Sequence, residues 1–213
     1  MTDQTLTHVY FLLDRSGSMQ SIKSDTEGGF EAFVTEQREA PGACRVTLAQ
    51  FDDHYEEVYV DRPVADVPPL DLRPRSMTAL HDAMGRLITD AGARLAALPD
   101  DQRPGTVIVA VMTDGLENAS KEWTGPAIKA LVEQQTRDYG WDFMYMGADQ
   151  DAIEVGAALG VKREHSLTYG RGRSREAMAL KGEKIRQMRE SRMTVAGAPM
   201  PAYTEAERSD LAE

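Results

Sequence analysis

A single cysteine, Cys44, in 213 residues excludes an internal disulfide framework and leaves no thiol pair for zinc or redox chemistry. It opens a strand-like run and reads as a buried structural residue. Long apolar runs are missing too. No stretch approaches the roughly 18 uninterrupted apolar residues of a spanning helix. The first apolar run stops at Asp14 and has no basic lead, so a signal peptide is not expected either. Basic charge is short: 24 Lys and Arg against 35 Asp and Glu leave a formal charge of -11. That balance argues against nucleic acid or anionic membrane as the main partner and suits a protein that meets cations or basic surfaces. Neither Gly-x-x-x-x-Gly-Lys nor Gly-x-Ser-x-Gly occurs, and His8, His54, His81 and His165 stand in no triad order. A cytoplasmic location is the expectation.

What is present is an alternation of strand and helix signals. Residues 7–13, Cys44–Phe51, Tyr55–Val60, Thr106–Met112, Asp142–Met146 and Ser166–Tyr169 read as strands, the first and fourth as continuous apolar runs of the kind buried on both faces. Asp52-Asp53-His54 reads as a hairpin turn. Apolar residues at three- and four-residue steps predict helices from Met19 to Gln37, from Ala79 to Leu98, over 125–138 and over Ala152–Leu159, with a last one at Glu176–Arg189. The four prolines of 61–76 predict a surface loop. Together these predict an α/β domain with a doubly wound, mostly parallel sheet. Between Lys162 and Arg192 basic residues outnumber acidic ones, which fits a solvated helix face or a contact surface for an acidic partner. From Thr194 onward Ala, Gly, Pro and charged residues predict disorder.

Ligands in such sheets sit beyond the carboxyl ends of the strands. Asp14-Arg15-Ser16-Gly17-Ser18 lies there, and in an extended segment residues i, i+2 and i+4 project to one side, so Asp14, Ser16 and Ser18 can converge. Thr78 and Asp114 occupy matching positions ahead of later helices. Hydroxyls and carboxylates suit a hard divalent cation. Each residue also has a local reading: Ser18 and Thr78 as helix caps, Asp114-Gly115 as a turn, Asp14 as a strand-end carboxylate held by backbone amides.

Asp14-x-Ser16-x-Ser18, then Thr78, then Thr113-Asp114-Gly115 resembles the metal-ion-dependent adhesion site of von Willebrand factor A domains, in particular their intracellular bacterial members. The resemblance covers residues 5–170 and leaves a basic C-terminal helix at 171–192 and a disordered tail at 193–213. It implies a sheet of about six strands with helices on both faces and Tyr55–Val60 as an antiparallel edge. It also implies that Ser16 and Ser18 ligate Mg²⁺ (or Mn²⁺ or Ca²⁺) directly, Thr78 directly or through water, and Asp14 and Asp114 largely through water. An Asp or Glu of a protein partner would complete the shell. By family analogy that partner is an AAA+ ATPase or a stress-response assembly. The expected role is non-catalytic protein interaction, with a scaffold carrying a silent site as the alternative. A Mg²⁺-dependent phosphatase of the haloacid dehalogenase type fits less well, because Ser16 stands where such an enzyme needs its second carboxylate.

Overall fold

Apolar runs set the order of the molecule. In the computed structural model, which describes residues 2–149 and 151–212, they form β1 (Asp3–Asp14), β2 (Ala43–Phe51), β3 (Tyr55–Pro63), β4 (Pro104–Thr113), β5 (Asp142–Ala148) and β6 (Ser166–Tyr169). The six strands make one sheet in the order β3-β2-β1-β4-β5-β6. All neighbours are parallel except β3, which pairs antiparallel with β2 as the expected edge.

Side chains alternate across each strand, so the central strands feed two cores. On one face Val9, Phe11 and Leu13 meet Phe30, Phe33, Met178 and Ile185 from α1 (Lys23–Glu39) and α5 (Ser174–Arg192). Phe11 lies edge-on to Phe30 with ring centroids 5.3 Å apart. On the other face Tyr10 and Leu12 meet Leu80, Met84, Leu87 and Ile88 of α2 (Leu80–Ala97) and Ile128 and Val132 of α3 (Gly125–Tyr139). Helix α4 (Ala152–Ala158) completes that layer. Gly140, with φ of 67°, closes α3 in the left-handed conformation that glycine adopts without strain. Among the described residues no helix is long and apolar enough to cross a membrane.

Three segments differ from the sequence expectation. The stretch 61–76 is not merely a surface loop: β3 runs into it to Pro63, and Val67, Leu70 and Leu72 are buried in the first core. The basic segment at 171–192 forms α5, which docks on this same domain and supplies Ala177, Met178, Ile185 and Met188 to its core. Its charges are absorbed locally. The buried guanidinium of Arg189 donates to the carbonyls of Gln37 (2.8 Å), Pro41 (3.1 Å) and Gly42 (3.0 Å), satisfying backbone oxygens at the end of α1. Arg186 pairs with Glu36, and Lys184 with Glu207.

The disorder expected over 193–213 is corrected. Met200, Tyr203 and Leu211 are buried in the first core, and Glu205–Ala212 forms α6. Backbone bonds fix the segment: Tyr203 N–H donates to Glu164 O at 2.9 Å and Gly170 N–H to Leu211 O at 2.7 Å. Three isolated apolar anchors among polar and proline residues carry no period that sequence reading detects. Glu213 lies outside the described residues.

Candidate metal centre

Strands β1 and β4 lie side by side and parallel, with Leu13 opposite Met112. The chain leaves β1 toward β2 on one side and returns as β4 on the other, so a crevice opens beyond their carboxyl ends. Asp14 shares the strand face of Leu12, and Thr113 that of Val111, which brings them together. The Thr113 hydroxyl donates to Asp14 Oδ2 at 2.5 Å, and Ser16 N–H donates to Asp14 Oδ1 at 2.6 Å.

Three loops meet here and are stitched by their backbones. Arg15 N–H donates to Phe51 O (2.7 Å), Arg75 N–H to Arg15 O (2.8 Å), Gly17 N–H to Ser76 O (3.1 Å) and Ala79 N–H to Asp52 O (2.8 Å). Asp52, fully buried, anchors the stitching: Oδ2 accepts from Arg15 Nε at 3.0 Å and Arg75 Nε at 2.7 Å, and Oδ1 accepts from His54 N–H at 2.7 Å. The loop after Asp114 is tied to the start of α2. Glu117 accepts from the N–H groups of His81, Ala119 and Ser120, and Asp82 from those of Lys121, Glu122 and Trp123.

All five sequence-predicted residues come together within this frame. Ser16 Oγ and Ser18 Oγ are 3.1 Å apart, and Ser18 Oγ donates to Asp114 Oδ1 at 2.6 Å. Gly115 marks the centre of the cluster. A Cβ there would stand 2.9 Å from Thr78 Oγ1, 3.7 Å from Asp14 Oδ2 and 3.7 Å from Ser18 Oγ, so three oxygens from two separate segments face the space its missing side chain leaves. Neither hydroxyl is a cap. The N-caps of the 3₁₀ turn Gly17–Ile22 and of α2 are Ser16 and Ala79, without side-chain cap bonds, and Thr78 uses its N–H and C=O on Asn118.

Asp14, Ser16, Thr78 and Asp114 are buried, while Ser18 and Gly17 open to solvent. Burial pushes the Asp14 carboxyl up to about 6, against the pull of the Thr113 and Ser16 hydrogen bonds. Burial also raises Asp114, opposed by the Ser18 hydroxyl and the Arg171 guanidinium. Asp114 Oδ2 is buried with no hydrogen-bond partner among the described residues. Two desolvated carboxylates, three hydroxyls and an orphaned carboxylate oxygen fit a hard divalent cation, which would supply the missing positive charge. Around this polar centre Met77 and Leu116 are exposed, at 54% and 63%.

Sequence reading missed three contributors: Thr113 as the residue that orients Asp14, Asp52 as the loop anchor, and Arg171, whose Nη2 lies 3.6 Å from Asp114 Oδ2. Thr113 was within the recognised motif; the other two depend on partners far along the chain. Ligand-type atoms of Asp52, Asp53 and His54 also lie within 4.8 Å of one another. In that group the buried member, Asp52, already has both oxygens engaged by two guanidinium groups and an amide.

No protein-family profile matches the sequence, and no curated protein does. Solved structures do. The chain is similar to a von Willebrand factor type A protein from Catenulispora acidiphila, with a TM-score of 0.56 at 13% identity over 84% of this chain and 42% of that one. The von Willebrand factor domain of the type V pili tip protein Mfa5 from Porphyromonas gingivalis gives 0.54 at 11% identity, over 84% of this chain and 94% of that one. The pilus adhesin SpaC from Lactobacillus rhamnosus GG gives 0.61 at 13% identity, over 85% and 30%. The chain thus spans less than half the length of the first and third of these proteins. Its fold is that of von Willebrand factor A domains, an α/β class whose neighbours include adhesion proteins.

Proposed function

We propose that this domain is a divalent-cation-dependent protein-interaction module, not a catalyst. The carrying observation is the convergence of Asp14, Ser16, Ser18, Thr78 and Asp114 around Gly115, with one buried carboxylate oxygen that accepts no hydrogen bond among the described residues. Ser16, Ser18 and Thr78 would hold Mg²⁺, or Mn²⁺ or Ca²⁺, through neutral hydroxyls, and Asp14 and Asp114 would hold its waters. The cation supplies Lewis acidity toward an incoming carboxylate. Neutral ligands leave that acidity largely intact, so an Asp or Glu of a partner protein is the natural further ligand. Exposed Met77 and Leu116 flank the site and give such a partner apolar surface to cover.

A non-catalytic role is supported by Asp14 itself. Both its oxygens are engaged by Ser16 and Thr113, and the position two residues on is Ser16. The single cysteine suits a reducing compartment, and we place the protein in the cytoplasm of a bacterium. An AAA+ ATPase or stress-response partner rests on family analogy alone and is the first class to screen.

Thermal melts of chelator-stripped protein with Mg²⁺, Mn²⁺ and Ca²⁺, alongside Ser16→Ala, test the reading. A cation at 100 times its Kd stabilises the native state by about 2.7 kcal/mol. The expected result is a saturable rise in Tm that Ser16→Ala, itself folded, removes. No rise with any ion, or an equal rise in the variant, would leave a scaffold with a silent site.

A further inference from the structure

Among the described residues, Arg171 places its guanidinium beside Asp114 of the candidate metal centre, and the sequence motif does not include it. Its turn is held firmly. Gly170 N–H donates to Leu211 O at 2.7 Å, Arg173 N–H to Gly170 O at 2.8 Å, and Arg171 N–H to Asp149 Oδ1 at 3.2 Å. Asp149 also pairs with Arg171 Nε at 3.0 Å, from a backbone in the left-handed region (φ 48°). This grip leaves Nη2 directed at Asp114 Oδ2, the buried oxygen without a hydrogen bond, 3.6 Å away. The separation is within ion-pair reach and beyond a hydrogen bond.

We infer that Arg171 is a built-in rival of the metal: its guanidinium partly neutralises Asp114 in the cation-free protein and so sets how much divalent cation the site needs. The inference rests on the metal-binding reading above. An Asp114 already paired with a fixed positive charge gains less from a second one, and two like charges on one carboxylate repel. Because Arg171 is half-exposed and its contact loose, the effect is graded, not all-or-none. The site would then stay empty at low cation concentration without collapsing, since a counter-charge remains beside Asp114.

The test is calorimetric titration of the full chain with Mn²⁺ alone, for the parent, Arg171→Gln and Arg173→Gln. Arg173 stands two residues on and pairs with Asp210 and Glu176, so its variant removes the same net charge without touching the site. Arg171→Gln is expected to bind Mn²⁺ about two- to fivefold more tightly, with Arg173→Gln close to the parent. Unchanged or weaker binding in Arg171→Gln, or equal tightening in both variants, would overturn the inference while leaving the metal reading intact. A parent chain that binds no Mn²⁺ would overturn both.

Discussion

Replacing Asp14 by Asn should make the cation-free protein more stable at neutral pH and deaf to metal. The Asp14 carboxyl is fully buried and pushed up to about 6. In an unfolded chain it ionises near about 3.9. The folded state therefore holds this proton more tightly than the unfolded state. Its stabilising effect is present below the unfolded value and is lost as pH rises from about 4 to about 6. At about 1.36 kcal/mol per pKa unit, the ionised group destabilises the cation-free fold by about 3 kcal/mol at pH 7. Asn removes the charge and keeps the shape. Its Oδ1 still accepts from Ser16 N–H, and its amide donates to Thr113 Oγ1, whose hydroxyl then turns to Gly115 O, 3.1 Å away.

Urea denaturation in chelator, from about pH 4 to pH 8, should show Asp14→Asn gaining about 2–3 kcal/mol on the parent at neutral pH and nothing at the acid end. For a chain of this size that is a rise in Tm of roughly 5–10 °C. Saturating Mg²⁺ should raise the parent and leave the variant where it was. A variant less stable than the parent in chelator at neutral pH, or pH profiles that run parallel, would refute the reasoning.

Three other substitutions probe the frame. Gly115→Ala places a methyl 2.9 Å from Thr78 Oγ1 and should weaken Mg²⁺ binding at least tenfold by calorimetry, with little change in the chelated Tm. Asp52→Ala strands the buried Arg15 guanidinium with Glu56 alone and should destabilise by about 3 kcal/mol in urea, reducing metal response as a consequence. Lys181 is buried under the sheet, donating to Val111 O at 3.0 Å, without a carboxylate partner among the described residues, and burial brings its ammonium down to about 7. Its charging penalty is full below that value and fades as pH rises toward the unfolded value of about 10.4, so the parent should gain stability over that window. Lys181→Met should flatten this rise and exceed the parent at neutral pH by about 2–4 kcal/mol in denaturant titrations.

Much of this was legible because it is local. The runs at Val9–Leu13 and Thr106–Met112 read as buried strands, and hydroxyls at alternate positions after a strand-end carboxylate can project to one side. The order of Asp14, Thr78 and Asp114 carried the family resemblance, which implied a doubly wound sheet. Illegible features depend on distant pairing. Asp52 looked like a turn residue because its guanidinium partners belong to two other loops. Arg171 sits in a Gly-Arg-Gly-Arg stretch with the composition of a flexible basic segment, and only α6 and Asp149 give it direction. The packing of Met200, Tyr203 and Leu211 had no periodic signature at all.

The stitching of the three loops separates shape from chemistry. Arg15, Asp52 and Arg75 and four backbone bonds hold the loops where they are, and none of the five candidate ligand side chains takes part in those bonds. Serines 16 and 18 and Thr78 can therefore be exchanged one at a time without dismantling the surface they sit on. The frame therefore keeps its outline whether or not the side chains set on it hold a cation.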